Sequence, residues 1–445
     1  MKIAKSILLY IAVFIVAFFG LFFISIGSAT IPQEQIKPHM MESAKYMCTR
    51  DSVFRIIDYV KASQIDRYAD SITLSIAHQL DEEKPLASSM WTSFYGETSQ
   101  YMNHYLLESV ANDLPADHEY LRYWHGSAAM MRILHQFCNI RTIYIFHAIL
   151  LIALGFLLVL LLIKNRYQVE AFAFVFSMIL VSAWYVPLAL EYTYSFLCML
   201  IISILAVVCA LRKQYQLMGI LFLISGMATV YFDFLTTETL SLLIPLILII
   251  RIDNRQEAVN ININVRNYRN WLHTIQYVLL WGIGYLGMWV MKWICASFVL
   301  KINVMPYVTE HIAERIGGPV TSLEFTGNMY IDAIIRNVRC LFPYEFGILG
   351  AVLVIAFLFF AIMLPAISGK VSIRNKVNMS NILLLILIAV IPFIRFLILH
   401  NHAYRHYTFT HRALAATAMA IVLIVFEIVE MNRKSNRKAV PNETT

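Results

Sequence analysis

The stretch TIYIFHAILLIALGFLLVLLLI occupies positions 142–163 and contains no Asp, Glu, Lys or Arg. A helix needs roughly 20 consecutive apolar residues to cross a bilayer, so this stretch predicts a transmembrane helix. Lys164 and Arg166 follow it directly, which is typical of the cytoplasmic end of a span. A soluble fold is effectively excluded.

Nine further apolar stretches flank this one. The whole chain has 59% hydrophobic and 14% charged residues. Together these features predict an all-α, polytopic integral membrane protein with about ten transmembrane helices. The predicted spans are 7–27, 142–163, 170–190, 195–211, 217–235, 239–250, 275–298, 346–367, 381–399 and 413–430. The span 239–250 is short for a full crossing and is expected to use flanking residues.

Lysine and arginine sort unevenly between the gaps that separate these spans. The short gaps around Glu191 and Asp233 contain neither residue, whereas the alternate gaps are basic. This is the positive-inside pattern, with the gap near Arg405 as its one short exception, and it predicts cytoplasmic termini. The predicted regions are a first transmembrane helix (1–27), an extracytoplasmic loop with interfacial helices (28–141), a six-helix region (142–298), a second extracytoplasmic loop (299–345), a three-helix region (346–430) and a basic cytoplasmic tail (431–445).

Composition and motifs argue against several classes of function. The net charge of +7 is explained by basic residues beside anionic lipid, so a nucleic-acid partner has little support. The six cysteines form no CxxC pair and no Cys/His spacing suited to zinc, and no metal site is predicted. No glycine-rich phosphate-binding loop precedes a helix, so the chain is not expected to drive its activity by ATP hydrolysis.

The loop of more than one hundred residues after the first span is long enough to require a function. The stretch from Phe54 to Val60, and the series Ile72, Ile76 and Leu80, show helical periodicity. Residues 128–135 have the mixed apolar and basic faces of an interfacial helix. The loop is therefore predicted to form short helices along the outer membrane surface that cover a cavity.

Two carboxylates in this loop are candidates for catalysis. Asp66 and Asp70 stand four residues apart, which on a helix places both on one face. A general base or a metal site needs such an arrangement, and an ordinary solvated helix face has it equally.

The loop after the ninth predicted span, HNHAYRHYTFTHR at 400–412, concentrates imidazoles and guanidiniums. These groups suit the binding of a phosphate at a membrane surface. The alternative is that these residues form an interfacial belt that anchors the ends of two spans at the membrane surface. The predicted phosphate-binding residues here are His402, Arg405, His406, His411 and Arg412.

Charged residues also occur inside or beside the spans, where they are costly. Asp233 and Glu238 lie at the outer end of the fifth span and are expected to face a wet cavity or a cationic partner. Arg395 and Lys292 are candidate partners, although Lys292 is expected rather to extend to the interface. The segment before Glu191 is interpreted as a helix end in the aromatic belt.

Three motifs carry a resemblance to a known group of enzymes: RYWHG at 122–126, YFDFLTT at 231–237 and NHAYRHYTFTHR at 401–412. Together they resemble poorly characterised bacterial polytopic proteins whose layout is similar to that of GT-C glycosyltransferases. The resemblance covers the whole chain in layout but only about thirty residues in motif. It adds Arg122 and His125 to the predicted substrate-binding residues. Asp233, Glu238 and Arg395, charged residues at the outer ends of spans, complete the set.

The resemblance implies a specific activity. GT-C enzymes take a sugar from a polyprenyl-phosphate donor on the outer face of the membrane, and an acid in the first external loop activates the acceptor hydroxyl. That role would fall on Asp66 or Asp70. This chain departs from the family pattern, in which the acid follows the first span closely; only Glu34 stands at that distance, and it is not part of a paired-acid motif.

The sequence is therefore expected to encode a membrane glycosyltransferase that acts on a cell-envelope glycan or lipid in the bacterial cytoplasmic membrane. A polyprenyl-phosphate-linked sugar and membrane lipid are the expected partners, and a divalent cation is left open. An envelope-polysaccharide polymerase or ligase shares the same external chemistry. A transporter or flippase would be expected to show internal repeats and interrupted helices, and the sequence shows no clear pattern of either. A noncatalytic assembly protein is the remaining alternative.

Overall fold

The computed structural model describes residues 2–97, 101–232, 235–256, 263–316, 328–342, 352, 371–373 and 377–431. Its helices are α1 (Lys2–Ala29), α2 (Gln33–Met47), α3 (Arg67–Gln79), α4 (Pro85–Trp91), α5 (Met102–Asn112), α6 (Gly126–Leu134), α7 (Ile140–Lys164), α8 (Gln168–Leu180), α9 (Leu190–Leu211), α10 (Tyr215–Phe232), α11 (Leu240–Gln256), α12 (Ile263–Leu300), α13 (Met305–Ile316), α14 (Met329–Cys340), α15 (Met379–Ile398), α16 (His400–Arg405), α17 (Tyr407–Thr410) and α18 (Leu414–Ile428). Two short antiparallel pairs join β1 (Val53–Arg55) to β2 (Gln64–Asp66) and β3 (Val371–Ile373) to β4 (Val429–Met431).

Seven helices of the described chain are long and apolar enough to cross a membrane. This confirms the prediction of a helical, polytopic membrane protein. The seven run over Ala4–Ala29, Ile140–Lys164, Leu190–Leu211, Tyr215–Phe232, Ile263–Leu300, Met379–Ile398 and Tyr407–Ile428.

Three of the ten predicted spans differ from these helices or lie elsewhere. The stretch 170–190 contains a 13-residue helix, α8, followed by a 3₁₀ turn at Ala183–Leu188. The chain breaks there because Ser182 adopts a left-handed φ of 54° and Pro187 lacks an N–H to continue the helix. The stretch 239–250 lies in the 17-residue helix α11. The predicted span 346–367 falls outside the described residues apart from position 352, as do most of Lys370–Lys376 and nearly all of the tail.

Glycine allows two of the long helices to pack backbone to backbone. A Cβ added at Gly226 of α10 would lie 2.1 Å from the carbonyl oxygen of Trp281, and one at Gly284 of α12 would lie 2.2 Å from that of Leu223. Close approach through small residues is the usual way in which helices associate in a membrane. The α10–α12 pair therefore does not tolerate a side chain at either glycine without moving apart.

Buried charges join three helices at one end of the bundle. Arg251 of α11 donates from Nε to Glu170 of α8 at 3.0 Å and from Nη1 to Glu427 of α18. Arg255 lies 3.4 Å from the same Glu170 carboxylate. Glu170 is fully buried, and the two arginines offset the cost of burying a carboxylate there.

Residues 28–141 fold into a packed unit rather than a layer of separate surface helices. Helices α2, α3, α5 and α6 share a core with the first turns of α7 and α9, and Met40, Leu74 and Leu106 are fully buried in it. Arg132 of α6 is also fully buried and donates to the carbonyl oxygens of Ile31, Ala77 and His78.

Two local expectations in this unit are wrong. The stretch from Phe54 to Val60 begins as strand β1 and continues as a turn in which Tyr59 has a φ of 66°. A run this short cannot distinguish a helix from a strand by periodicity alone. Residues 128–134 are helical, as expected. The basic face of an interfacial helix is absent there, because Arg132 is buried and donates to backbone carbonyl oxygens.

Candidate functional site

A cavity of about 650 Å³ collects polar side chains from four separate parts of the chain. Its walls come from the segment 66–125, from the start of α9, from α13 and from residues 402–409. The polar lining consists of Asp66, Tyr68, Thr73, His118, Glu119, Tyr120, Arg122, Tyr123, His125, Glu191, Tyr307, His311, Arg315, His402, Arg405 and His406. Three carboxylates, three guanidiniums and five imidazoles therefore meet around one space.

Asp66 reaches the cavity because it is the N-cap of α3. Its Oδ1 accepts a hydrogen bond from the backbone N–H of Ala69 at 3.0 Å, and the residue is 9% exposed. Burial raises the pKa of Asp66 to about 6, although the N–H groups at the helix start lower it in part. The carboxylate is thus ionised at neutral pH but remains basic enough to accept a proton.

Tyr68 stands beside two of the cavity carboxylates. Burial raises the pKa of Tyr68 to about 12, and the nearby charges of Asp66 and Glu191 add to the effect. Its hydroxyl therefore stays protonated at neutral pH and can donate a hydrogen bond into the cavity.

Arg122 and His125 come from the turn before α6. The Arg122 guanidinium lies 4.3 Å from the ring centre of Tyr120 and donates to the hydroxyl of Tyr307 at 3.3 Å. Its Nε has no hydrogen-bond partner among the described residues. His125 has a left-handed φ of 55°, and its Nε2 lies 2.8 Å from the carbonyl oxygen of Tyr120. Burial lowers the pKa of His125 to about 3, so the imidazole is neutral.

His402, Arg405 and His406 line the opposite wall. The rings of His402 and His406 have centres 4.6 Å apart. Burial, followed by the charge of Arg315, lowers the pKa of His406 to about 3. Burial and the neighbouring charges also hold the pKa of His402 well below its usual value. Both imidazoles are therefore neutral, and the positive charge of this wall is carried by arginine.

A buried ion pair supports this wall from behind. Arg395 of α15 donates from Nε to Glu238 at 2.8 Å and from Nη2 to the carbonyl oxygen of Leu235. The same Nη2 lies 3.4 Å from Nδ1 of His402. Neither Arg395 nor Glu238 lines the cavity. Arg395 contacts His402 from behind the wall, and Glu238 pairs with Arg395. Asp233 lies outside the described residues.

Asp70, Glu34, His411 and Arg412 do not line the cavity either. Asp70 is fully buried; it accepts hydrogen bonds from the hydroxyl of Tyr144 and, at 2.8 Å, from the N–H of Leu190. Burial raises the pKa of Asp70 to about 8, so it is largely protonated at neutral pH. Glu34 is exposed in the first turn of α2. His411 and Arg412 are fully buried.

Arg412 and Lys292 each bind backbone carbonyls. Arg412 donates to the carbonyl oxygens of Thr408 at 2.8 Å and Ala62 at 3.2 Å. Lys292 is fully buried and donates to the carbonyl oxygen of Met90 at 3.0 Å, at the end of α4. The expectation that Lys292 extends to the interface is therefore wrong.

Sequence reasoning missed Glu191, His311 and Arg315 as cavity residues. Glu191 is the second residue of α9, and the segment before it, with Trp184 and Tyr185, is interpreted from sequence as a helix end in the aromatic belt. His311 and Arg315 stand four apart on α13, a spacing that places both on one helix face. Among the described residues, no group of three or more His, Cys, Asp or Glu is placed to hold a metal ion.

We expect Asp70→Ala to lower the stability of the protein. The substitution leaves the Tyr144 hydroxyl and the Leu190 N–H without their acceptor, which should reduce the free energy of unfolding by roughly 2 kcal/mol. Chemical denaturation in detergent would measure it, with the exposed Asp51→Ala as the matched control. Equal stability of the two variants would contradict the structural role of Asp70.

No family model, curated protein or solved structure matches this chain. The resemblance to GT-C glycosyltransferases therefore rests on the three quoted motifs. The cavity and its residues are the basis for assigning a function.

Proposed function

We propose that this chain is a membrane glycosyltransferase that moves a sugar from a polyprenyl-phosphate donor to a cell-envelope glycan or lipid acceptor. One observation carries the proposal: a single cavity at the end of the bundle combines a buried carboxylate, Asp66, with Arg122, Arg315 and Arg405. A carboxylate can accept the proton of an acceptor hydroxyl, and guanidiniums can hold a phosphate.

The charge change in the reaction explains why arginine is needed. The donor is a phosphodiester with one negative charge, and its C1–O bond breaks to leave a polyprenyl phosphate that is a monoester. The leaving group therefore gains negative charge as the bond breaks. Arg122 and Arg405 stabilise that charge, and neutral His402 and His406 supply hydrogen bonds without repelling the arginines.

Asp66 completes the balance of the reaction. The acceptor oxygen forms the new bond to C1, and its proton moves to the Asp66 carboxylate. A pKa of about 6 suits this step, because the base is ionised at neutral pH yet has a raised affinity for the proton. Asp70 suits it less well, since its carboxyl is protonated at neutral pH and is occupied by Tyr144 and Leu190.

The cavity also supports the proposed orientation in a bacterial cytoplasmic membrane. All four segments that line it were assigned to the extracytoplasmic side by the distribution of Lys and Arg. Arg251 and Arg255, assigned to the cytoplasmic side, lie in a separate charged cluster with Glu170. In the proposed orientation the donor phosphate is bound at the outer surface while its lipid tail stays in the bilayer.

An impermeant thiol reagent should distinguish the two ends. Tyr101→Cys, in the loop 28–141, is expected to react in intact cells, because Tyr101 is 56% exposed. Arg255→Cys, whose native side chain is 49% exposed, should react only after the cells are opened. Labelling of position 255 in intact cells would overturn the orientation.

Replacement of the proposed base should abolish transfer without unfolding the protein. We expect Asp66→Asn to reduce the rate by about 10²–10⁴, whereas Asn can still cap α3. In the unmodified protein, activity should be present above pH 6 and decline as the pH falls through that value, because Asp66 becomes protonated. Transfer of a radiolabelled sugar by purified protein would measure both effects.

The outcome of this experiment also separates the competing functions. If Asp66→Asn transfers sugar at the normal rate, Glu191 becomes the next candidate base. If purified unmodified protein moves a lipid-linked sugar between leaflets but never transfers it, the transporter class replaces the transferase.

Arginine geometry in the cavity gives a further prediction. Arg405→Lys keeps the charge but loses two-pronged hydrogen bonding, so donor affinity should fall by roughly 1–2 kcal/mol. Titration with a polyprenyl phosphate would measure the change, with the exposed Arg141→Lys as control. Arg412→Lys should lower stability rather than affinity, since Arg412 binds Thr408 and Ala62. Unchanged affinity in Arg405→Lys would refute the phosphate contact.

A further inference from the structure

A second, smaller space lies on the other side of strand β2. This crevice of about 240 Å³ is lined by Tyr46, Arg50, Phe54, Ile56, Ile65, Arg67, Tyr144 and Leu188. Residues 65 and 67 face the crevice, whereas 66, 68 and 69 face the larger cavity. Residues 65 and 66 point to opposite sides because they belong to strand β2, whereas 67–69 belong to the first turn of α3. The crevice and the cavity are therefore separate spaces with a shared wall.

Two positions and one contact place the crevice relative to the membrane-spanning helices. Tyr144, in its wall, is in the second turn of α7, and Leu188 lies two residues before the start of α9. Gln64 of β2 donates to the hydroxyl of Thr408 at 3.2 Å, at the start of the last span. The crevice consequently lies where these spans end, at the boundary between hydrocarbon and head groups.

The hairpin that forms one side of the crevice exposes apolar side chains. Ile56 is 46% exposed and Tyr59 is 71% exposed, and Val53 and Ile57 are exposed beside them. Helix α7, whose Tyr144 lines the crevice, also exposes Ile145, Phe146 and Ile149, and Trp184 is exposed on the turn that leads to Leu188. Exposed apolar side chains near a span end, together with exposed Tyr and Trp, are typical of the interfacial region of a bilayer.

Arginine is placed at this surface as well. Arg50 is exposed and lies over the ring of Phe54, 5.1 Å from its centre. Arg67 lies over the same ring at 5.1 Å, but its Nη1 is used by the carbonyl oxygens of Tyr46 and Met47. The hairpin also contains exposed Arg55 and Asp58, and exposed Asp51 precedes it, so net charge alone does not define the site. Arg50 lines the crevice and is exposed, so it can reach a lipid phosphate there.

We propose that the crevice and the exposed hairpin 53–59 bind a phospholipid of the surrounding bilayer. An acyl chain lies against Ile56, Ile65 and Leu188, and an anionic head group meets Arg50. The hairpin thereby anchors the 28–141 unit in the membrane interface. This lipid site does not depend on the proposed transfer reaction, and it is separate from the cavity that would hold the donor.

Photocrosslinking tests the lipid contact directly. The full-length protein would carry p-benzoylphenylalanine in place of Ile56 or Tyr59, in nanodiscs that contain phosphatidylethanolamine and phosphatidylglycerol. We expect phospholipid adducts at both positions by mass spectrometry. Tyr101, which is 56% exposed on the same unit but next to α5, is the matched control and should give no adduct above background.

Three results would overturn the proposal: no lipid adduct at Ile56 and Tyr59, equal adducts at Tyr101, or adducts to protein alone, which would indicate a second copy or a partner protein on this surface. The head-group contact has its own test. Arg50→Ala should reduce phosphatidylglycerol adducts at position 56 by about fivefold. The exposed Lys45→Ala should leave them unchanged, and an equal yield in Arg50→Ala would exclude Arg50 as the phosphate ligand.

Discussion

The hydrogen bonds that Asp70 accepts from Leu190 and Tyr144 are the constraint on which the rest of the cavity depends. They fasten the first turn of α3 to the starts of α9 and α7, which are membrane-spanning helices. Because Asp66 caps the same turn of α3, its carboxylate is held at a fixed height relative to the bundle. Glu191, the residue after Leu190, enters the same space for the same reason. A buried acid that is mostly protonated can perform this role without the cost of an isolated charge.

The electrostatics of the cavity follow from where its charges are paired. His402 is neutral because it is buried, and the nearby charges of Arg395 and Arg315 oppose its protonation further. Glu238 pairs with Arg395 behind the wall. Desolvation removes the proton from an imidazole far more readily than from a guanidinium, whose pKa is much higher. The result is a site in which arginine supplies the positive charge and histidine supplies hydrogen bonds. An anion whose charge increases during a reaction would gain most from such an arrangement.

Most of the spans, and about half of the candidate site, could be predicted from sequence, for different physical reasons. Long apolar runs identify a span such as α7 because length and composition suffice. Asp66 is a candidate from its four-residue spacing to Asp70, Arg122 from the motif resemblance, and His402 from the density of imidazoles and guanidiniums at 400–412. Their meeting in one cavity depends on how four segments pack, which single-sequence periodicity does not encode. Arg412 shows the converse: the sequence cannot tell whether an arginine turns toward a cavity or toward carbonyls of its own chain, as it does here.

Strand β2 connects the two spaces that the structure places at this end of the protein. One side of it carries Ile65, which faces the crevice at the membrane boundary, and the other carries Asp66, which faces the cavity. A shift of one residue in the pairing with β1 would exchange these two side chains. The exposed apolar hairpin resists such a shift, because it would turn Ile65 away from the apolar side and place a carboxylate there. The same hydrophobic pattern that seats the hairpin at the bilayer surface therefore also sets the direction in which Asp66 points.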